Sequence, residues 1–155
     1  MNKPVVYLIG SLRDERIVHL GKRLREEADV EVFDDWHAAG PIADDSWQKY
    51  ETLRGRSYKE ALKGYAANHV FDFDHHHLRR CTHVVLVQPA GKSGHLELGY
   101  AVGQGKKAYV LFDKEPERWD QMYQFVFETN GDVFFNDEEF IRELKFESAD
   151  YRLAR

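Results

Sequence analysis

The stretch VVLVQPAGKSGHLELGYAVGQGKKAYVLF, residues 84–112, decides the fold. Val84-Val85-Leu86-Val87 is apolar at every position, as expected of a strand buried on both faces of a parallel sheet. Pro89 closes it, and Ala90-Gly91-Lys92-Ser93-Gly94 reads as a loop. From His95 to Gly105 the residues Leu98, Ala101 and Val102 recur at helical spacing, and Gly103 and Gly105 mark a helix end. Ala108 to Phe112 is a second apolar run. Strand, helix and strand in this order, with short connections, make a parallel βαβ unit.

The same alternation extends outward. Upstream, Val5-Val6-Tyr7-Leu8-Ile9 is a buried strand ending in Gly10. A helix follows over Asp14 to Glu27, with Ile17, Leu20 and Leu24 on one face, and Val30, Val32 and Phe33 form a short strand. A helix is expected over Phe71 to Arg80. Downstream, Trp119 to Glu128 reads as a helix, Val133 to Phe135 as a strand and Asp137 to Leu144 as a helix. Residues 147–155 are expected to be a loosely held tail. Residues 34–70 interrupt the alternation with Trp36, Trp47, Tyr50, Tyr58 and Tyr65, and one or two helices fit between Asp44 and His69. That length exceeds a plain connection. It is either an insertion that covers a ligand or meets a neighbouring subunit, or extra helical packing on the sheet. The expected architecture is α/β, an open parallel sheet with helices on both faces, in one domain over residues 1–146. Ligands bind such sheets outside the carboxyl ends of the strands. This selects the loop after Ile9, the region of Asp34 and the loop from Pro89 to Gly94.

Composition narrows the function. The chain has 155 residues, 43% hydrophobic and 32% charged, a globular balance. Its 22 basic and 27 acidic side chains leave a formal charge of −5, which disfavours a nucleic-acid polymer as partner but admits a small anion. A single cysteine, Cys81, excludes an intrachain disulfide and a Cys/His zinc site. The N-terminal apolar run lacks the pattern of a signal peptide, and no run reaches the roughly 18 apolar residues of a membrane span. A cytoplasmic location without membrane partners is the expectation.

Several residues can carry chemistry. Glu97 falls in the first turn of its expected helix, where the helix terminus would keep it ionised. On spacing alone it is either a carboxylate that favours the dipole or one that attacks an anomeric carbon. Asp72 and Asp74 precede a helix, so each is an N-cap or a general acid. Consecutive His75, His76 and His77 point in different directions on a helix and cannot share a metal. Gly91 and Gly94 permit close backbone approach to a ligand, and Ser93 is an N-cap or a ligand contact. In Gly10-Ser11-Leu12-Arg13, Ser11 can cap the next helix, while Arg13 and Arg16 pair with a phosphate or face solvent.

Together these segments resemble the nucleoside 2-deoxyribosyltransferase-like family, over roughly residues 5–144. The strongest likeness is SGHLELGYAVGQGK, residues 93–106, similar to the family's Glu-containing motif, which implies Glu97 as nucleophile. YLIGS, residues 7–11, is similar to the opening motif, whose Tyr and Gly lie beside the ligand. DFDHHHLRRCTHVVLV, residues 72–87, resembles the acidic segment and places Asp74, or failing it Asp72, at the acidic position. Asp120-Gln121-Met122-Tyr123 resembles a later segment. Where many members carry an Asp ahead of the nucleophile helix, this chain has Ala90-Gly91-Lys92. Gly10-Ser11-Leu12-Arg13 and Ser93 look more like the nucleotide N-glycosidases of the same superfamily, in which Ser and Arg hold a 5′-phosphate. The resemblance implies a flavodoxin-like sheet of about five strands and a homo-oligomer acting on a nucleoside or nucleotide. It also implies a glycosyl-Glu97 intermediate, with Tyr7 orienting Glu97 and no metal or organic cofactor.

Overall fold

The computed structural model describes residues 2–154. Five parallel strands form one sheet in the order β2-β1-β3-β4-β5. They are β1 (Val5–Ile9), β2 (Glu31–Phe33), β3 (His83–Val87), β4 (Lys107–Leu111) and β5 (Val133–Phe134). The three central strands are apolar because helices cover both faces. The two edge strands have only three and two residues.

Strand alternation sorts the core into two layers. Val6 and Leu8 face one side with Val85, Val87, Tyr109 and Leu111. There they pack on Ile17 and Leu20 of α1 (Arg16–Arg23) and on Phe140, Ile141 and Leu144 of α7 (Asp137–Leu153). Tyr7 and Ile9 face the other side with Val84, Leu86, Ala108 and Val110. That side is covered by Leu78 of α4 (Tyr65–Arg80), Leu98 and Ala101 of α5 (Lys92–Gly103) and Val126 of α6 (Gln124–Glu128). Tyr7 therefore points at α4 and α5, the helices that carry the candidate carboxylates.

Several boundaries differ from expectation. The first helix starts at Arg16, because Ser11 to Asp14 forms a turn, and it ends in a π-helical turn over Leu24–Ala28. The expected helix over Trp119 to Glu128 is shorter: a 3-10 turn over Gln121–Tyr123, capped by Asp120, leads into α6. Residues 147–153 are no loose tail; they continue α7. Ser148 is fully buried and donates to the Asp29 carbonyl. Glu147 accepts hydrogen bonds from His83 Nε2 (2.6 Å) and from the Tyr109 hydroxyl, and pairs with Lys107 Nζ at 3.0 Å.

The stretch from residue 34 to 64 leaves β2 at its carboxyl end and re-enters the fold at the start of α4. It holds a 3-10 turn (Asp35–Ala39), α2 (Ala43–Leu53) and α3 (Tyr58–Leu62). A reciprocal cap between Ser57 and Glu60 starts α3. Trp36 packs on the core, and its indole Nε1 donates to the Leu8 carbonyl at 2.7 Å. Farther along, Tyr50, Tyr58, Leu62, Tyr65, Val70 and Phe71 are exposed. Packing on the sheet thus accounts for the beginning of this stretch and not for its apolar outer surface.

Candidate active site

The strand order reverses between β1 and β3, so the loops after these strands diverge and open the carboxyl edge there. Three ionisable side chains converge beneath that opening: Tyr7 from β1, Glu97 from α5 and Asp74 from α4.

Their placement follows from local packing. Gly91, in extended conformation, caps α5 without a side-chain bond, and Ser93 is the second helical residue, not the cap. Gly94 lets the first turn settle on the sheet: a Cβ there would stand 3.1 Å from Ile9 Cγ2 and 3.3 Å from Ala90 Cβ. Because α5 begins at Lys92 instead of His95, Glu97 lies in its second turn, half-buried over β1. Helix α4 likewise begins earlier than expected, at Tyr65 after Gly64. Asp72 and Asp74 are therefore helix-interior residues and cap nothing. Two residues apart, they point roughly 200° away from each other, leaving Asp72 exposed while Asp74 is half-buried. The Asp74 Oδ1 atom is buried without a hydrogen-bond partner.

This setting overturns the expectation that the helix terminus keeps Glu97 ionised. Burial, reinforced by the charge of Asp74, pushes the Glu97 carboxyl up to about 7, while a hydrogen bond from Tyr7 pulls it back. Burial alone raises Asp74 to about 6. Tyr7 is raised by burial, then by the charges of Glu97 and Asp74, so it stays a phenol and donates its proton to Glu97. Two interacting carboxyls titrate as a pair. Between about pH 6 and about pH 7 they hold close to one proton together. That proton rests mainly on Glu97, the higher of the two, so the form with Glu97 ionised and Asp74 protonated is the minor one-proton state.

An aromatic wall continues from Tyr7. Phe33 lies 5.0 Å from it, His77 stacks on Phe33 at 3.9 Å, and Phe73 meets both edge-on. His77 is lowered by burial and by Arg80, whose Nε donates to its Nδ1 at 2.8 Å. Two members of the histidine run thus have packed roles, His77 on Phe33 and His75 against Phe71. Among the described residues no group of three or more His, Cys, Asp or Glu side chains is arranged to hold a metal ion.

Between the loops after β1 and β3 lies an open depression of about 640 Å³, lined by Ser11, Arg13, Arg16, Pro89, Ala90 and Gly91 together with the acidic Asp14 and Asp113, and not by Tyr7, Asp74 or Glu97. Ser11 Oγ is engaged by the Arg13 backbone N–H at 3.1 Å. Gly10 lies tight against α1, where a Cβ would come within 2.6 Å of Ile17 Cδ1. The Arg13 side chain turns to Asp45 on α2, 3.1 Å away, tying the inserted segment to this loop. Arg16 donates from Nη1 to the Gln88 carbonyl at 3.2 Å and lies 3.5 Å from Asp137, while its Nε and Nη2 are buried without hydrogen bonds. Ser93, one turn before Glu97 on the same flank of α5, is exposed. A second, apolar groove of about 360 Å³ runs along the other flank of α5, between His95, Leu98 and Val102 and the side chains of Met122 and Phe125.

Other residues shape the site with no pattern in the sequence to announce them. Gln88 Nε2 donates to the Tyr123 hydroxyl at 2.6 Å, and Tyr123 is 2.9 Å from His95 Nε2. His95 Nδ1 is 2.8 Å from the Gly91 carbonyl, and Gln88 Oε1 accepts from Ala90 N–H. Carbonyls only accept, so His95 carries its proton on Nδ1, and Tyr123 donates to Nε2. This chain fixes residues 88–91. On the other side, His37 Nε2 donates to the Asp14 carbonyl at 3.0 Å and steadies the loop after β1.

No family model and no curated protein matches the chain. Solved structures do share its fold. The CMP N-glycosidase BcmB of Clostridium botulinum is 15% identical, with a TM-score of 0.56 over 90% of this chain and 97% of that one. The 2-deoxyribosyltransferase of the psychrotolerant bacterium Bacillus psychrosaccharolyticus is also 15% identical, with a TM-score of 0.58 over 88% and 90%. The fold expected from residues 84–112 outward is thus the fold that these two solved structures share.

Proposed function

We propose that this chain cleaves the N-glycosidic bond of a nucleoside or nucleotide through a glycosyl-Glu97 intermediate and passes the sugar to a second base. The observation that carries this reading is the meeting of Tyr7, Glu97 and Asp74 under the point where the strand order reverses. In the first step, from the minor one-proton form in which the shared proton lies on Asp74, a Glu97 oxygen forms a bond to C1′ as the C1′–N bond breaks. The electron pair goes to the departing base, which takes the proton of Asp74. Tyr7, donating to Glu97, holds the carboxylate in line. In the second step a nitrogen of the incoming base attacks C1′, Glu97 leaves, and the proton lost by that nitrogen returns to Asp74. The sugar is held by Gly10, Ser11, Gly91, Ser93 and Gly94. The carboxylates supply the chemistry, so the mechanism calls on no cofactor.

A second reading is favoured by one observation: Arg16 has two buried nitrogens without hydrogen bonds beside the depression that also holds Arg13 and Ser11. A 5′-phosphate there would make the substrate a nucleoside monophosphate, with water as the second nucleophile. A binding module without turnover is the third reading. Incubating the protein with deoxynucleosides or their 5′-monophosphates, with and without a free base, separates the three. Exchange of bases on nucleosides supports the transferase, and release from monophosphates alone supports the hydrolase. Binding without release by the wild type, or wild-type rates in Glu97→Gln, removes the glycosyl-enzyme mechanism. The exposed apolar side chains of the inserted segment support assembly as a homo-oligomer, which analytical ultracentrifugation tests.

A further inference from the structure

Asp74 and Glu97 sit on different helices, and nothing in the charge of the pair holds those helices together. When both carboxyls are ionised they repel, and each gains hydration if α4 and α5 part. A tie is built one step away from each carboxylate. His75 follows Asp74 directly on α4, and Tyr100 lies one turn beyond Glu97 on α5. The His75 Nε2 and the Tyr100 hydroxyl are 3.0 Å apart, within hydrogen-bond distance. The two rings meet edge-on with centroids 5.3 Å apart. On its far side His75 stacks on Phe71, one turn earlier on α4, with ring centroids 5.0 Å apart, which limits its rotation. Both partners lie at the protein surface, so the bond does not serve to satisfy a buried polar atom.

We infer that His75 and Tyr100 are positioning residues that clamp α4 to α5 and so fix the separation of Asp74 and Glu97. The inference rests on the proposed roles of the two carboxyls for its catalytic meaning, while the clamp itself is a property of the fold. The groups that face Glu97 are Tyr7 from β1 and Asp74 from α4. Cys81, at the foot of α4, acts on Tyr7 in turn. Loosening the clamp lets water reach Glu97 and weakens its coupling to Asp74, and both changes move its titration downward.

The test uses Tyr100→Phe, which removes only the hydroxyl, with His75→Ala and His75→Gln as a second pair. Carbon-13 NMR of labelled glutamate side chains reads the Glu97 titration in the full chain, whether or not the chain turns over a nucleoside. Wild type is expected to titrate near 7. In Tyr100→Phe and His75→Ala the midpoint is expected to fall by about one pH unit. His75→Gln, which can still reach the hydroxyl, restores most of it. Where base release is measurable, kcat falls roughly tenfold with KM little changed, because separation of the reacting groups affects the chemical step. A Glu97 titration in both Tyr100→Phe and His75→Ala that overlays the wild type overturns the clamp. Absence of base release by wild type with the titration shift present overturns the proposed function and leaves the clamp standing.

Discussion

Replacing Tyr7 with Phe removes one oxygen and tests what holds Glu97 ready. Tyr7 is fully buried on β1, and its hydroxyl donates to the Glu97 carboxylate. A hydrogen bond to a charged group contributes about 1.5–3 kcal/mol. Divided by the 1.36 kcal/mol of one pKa unit, its loss raises the Glu97 carboxyl by roughly one to two units. The sign is fixed: the bond stabilises the ionised form, so its removal pushes Glu97 above the value of about 7 that it has with Tyr7 in place. Asp74, near 6, has burial as its cause and keeps its titration. The wild-type pH profile is expected to be a bell with its maximum between about 6 and 7, because turnover needs one proton on the pair. In Tyr7→Phe the limb set by Glu97 moves to higher pH, and the fraction of ionised Glu97 at neutral pH falls about 5- to 50-fold. Stability should fall by about 1–3 kcal/mol, because the half-buried Glu97 carboxyl loses its donor. The assay is base release followed by chromatography from about pH 5 to pH 9, with chemical denaturation as the control for folding. A Tyr7→Phe profile that overlays the wild type would refute the coupling of Tyr7 to the nucleophile.

Two further perturbations probe other parts of the molecule. Glu147 is pushed up by burial, but the bonds from His83 and Tyr109, the charge of His83 and the bond from Lys107 outweigh this and hold it at about 2. A depressed carboxyl stabilises the fold above its unfolded value and loses that contribution as pH falls from about 4.5 toward about 2. Glu147→Gln should therefore cost about 2–4 kcal/mol in denaturant unfolding near neutral pH and markedly less near pH 2; an equal cost at both would show that its charge is irrelevant. Arg16→Ala should raise KM for nucleoside 5′-monophosphates about 10- to 100-fold, the worth of a charge-assisted bond to phosphate, and leave KM for nucleosides near wild type. Equal losses on both substrates would assign Arg16 to holding Gln88 instead.

The sheet was legible because its central strands carry unbroken apolar runs, a signature that depends on the residues alone. Positions 84–87, 5–9 and 108–111 are strand in the structure as in the sequence reading. Helix starts were less legible, and the errors share a cause. Asp74 looks like a cap because it precedes a dense run of ring and basic side chains. The helix instead begins at Tyr65, where Gly64 breaks α3 from α4 and Ala66 and Ala67 propagate the new turn. Lys92 starts α5 because Gly94, poor as a helix former, lets the first turn settle against Ile9 and Ala90, and that moves Glu97 from a terminus into a partly apolar flank. Its ionisation, argued from the terminus, changed with it. The end of α7 was missed because its anchors are polar. Ser148 and Glu147 mark a buried face only once His83 and the Asp29 carbonyl stand opposite them, and no local periodicity encodes that.

The brevity of the edge strands bears on how copies of this protein can meet. An exposed edge invites another chain to extend the sheet through its backbone groups, and long regular edges are the ones at risk. With three residues in β2 and two in β5, each edge offers too few free groups to template a new strand. Continuous cross-β stacking is thereby blocked at both ends of the molecule. Self-association is left to side chains on the helices, a surface that point substitutions can tune without touching the backbone that supports Tyr7.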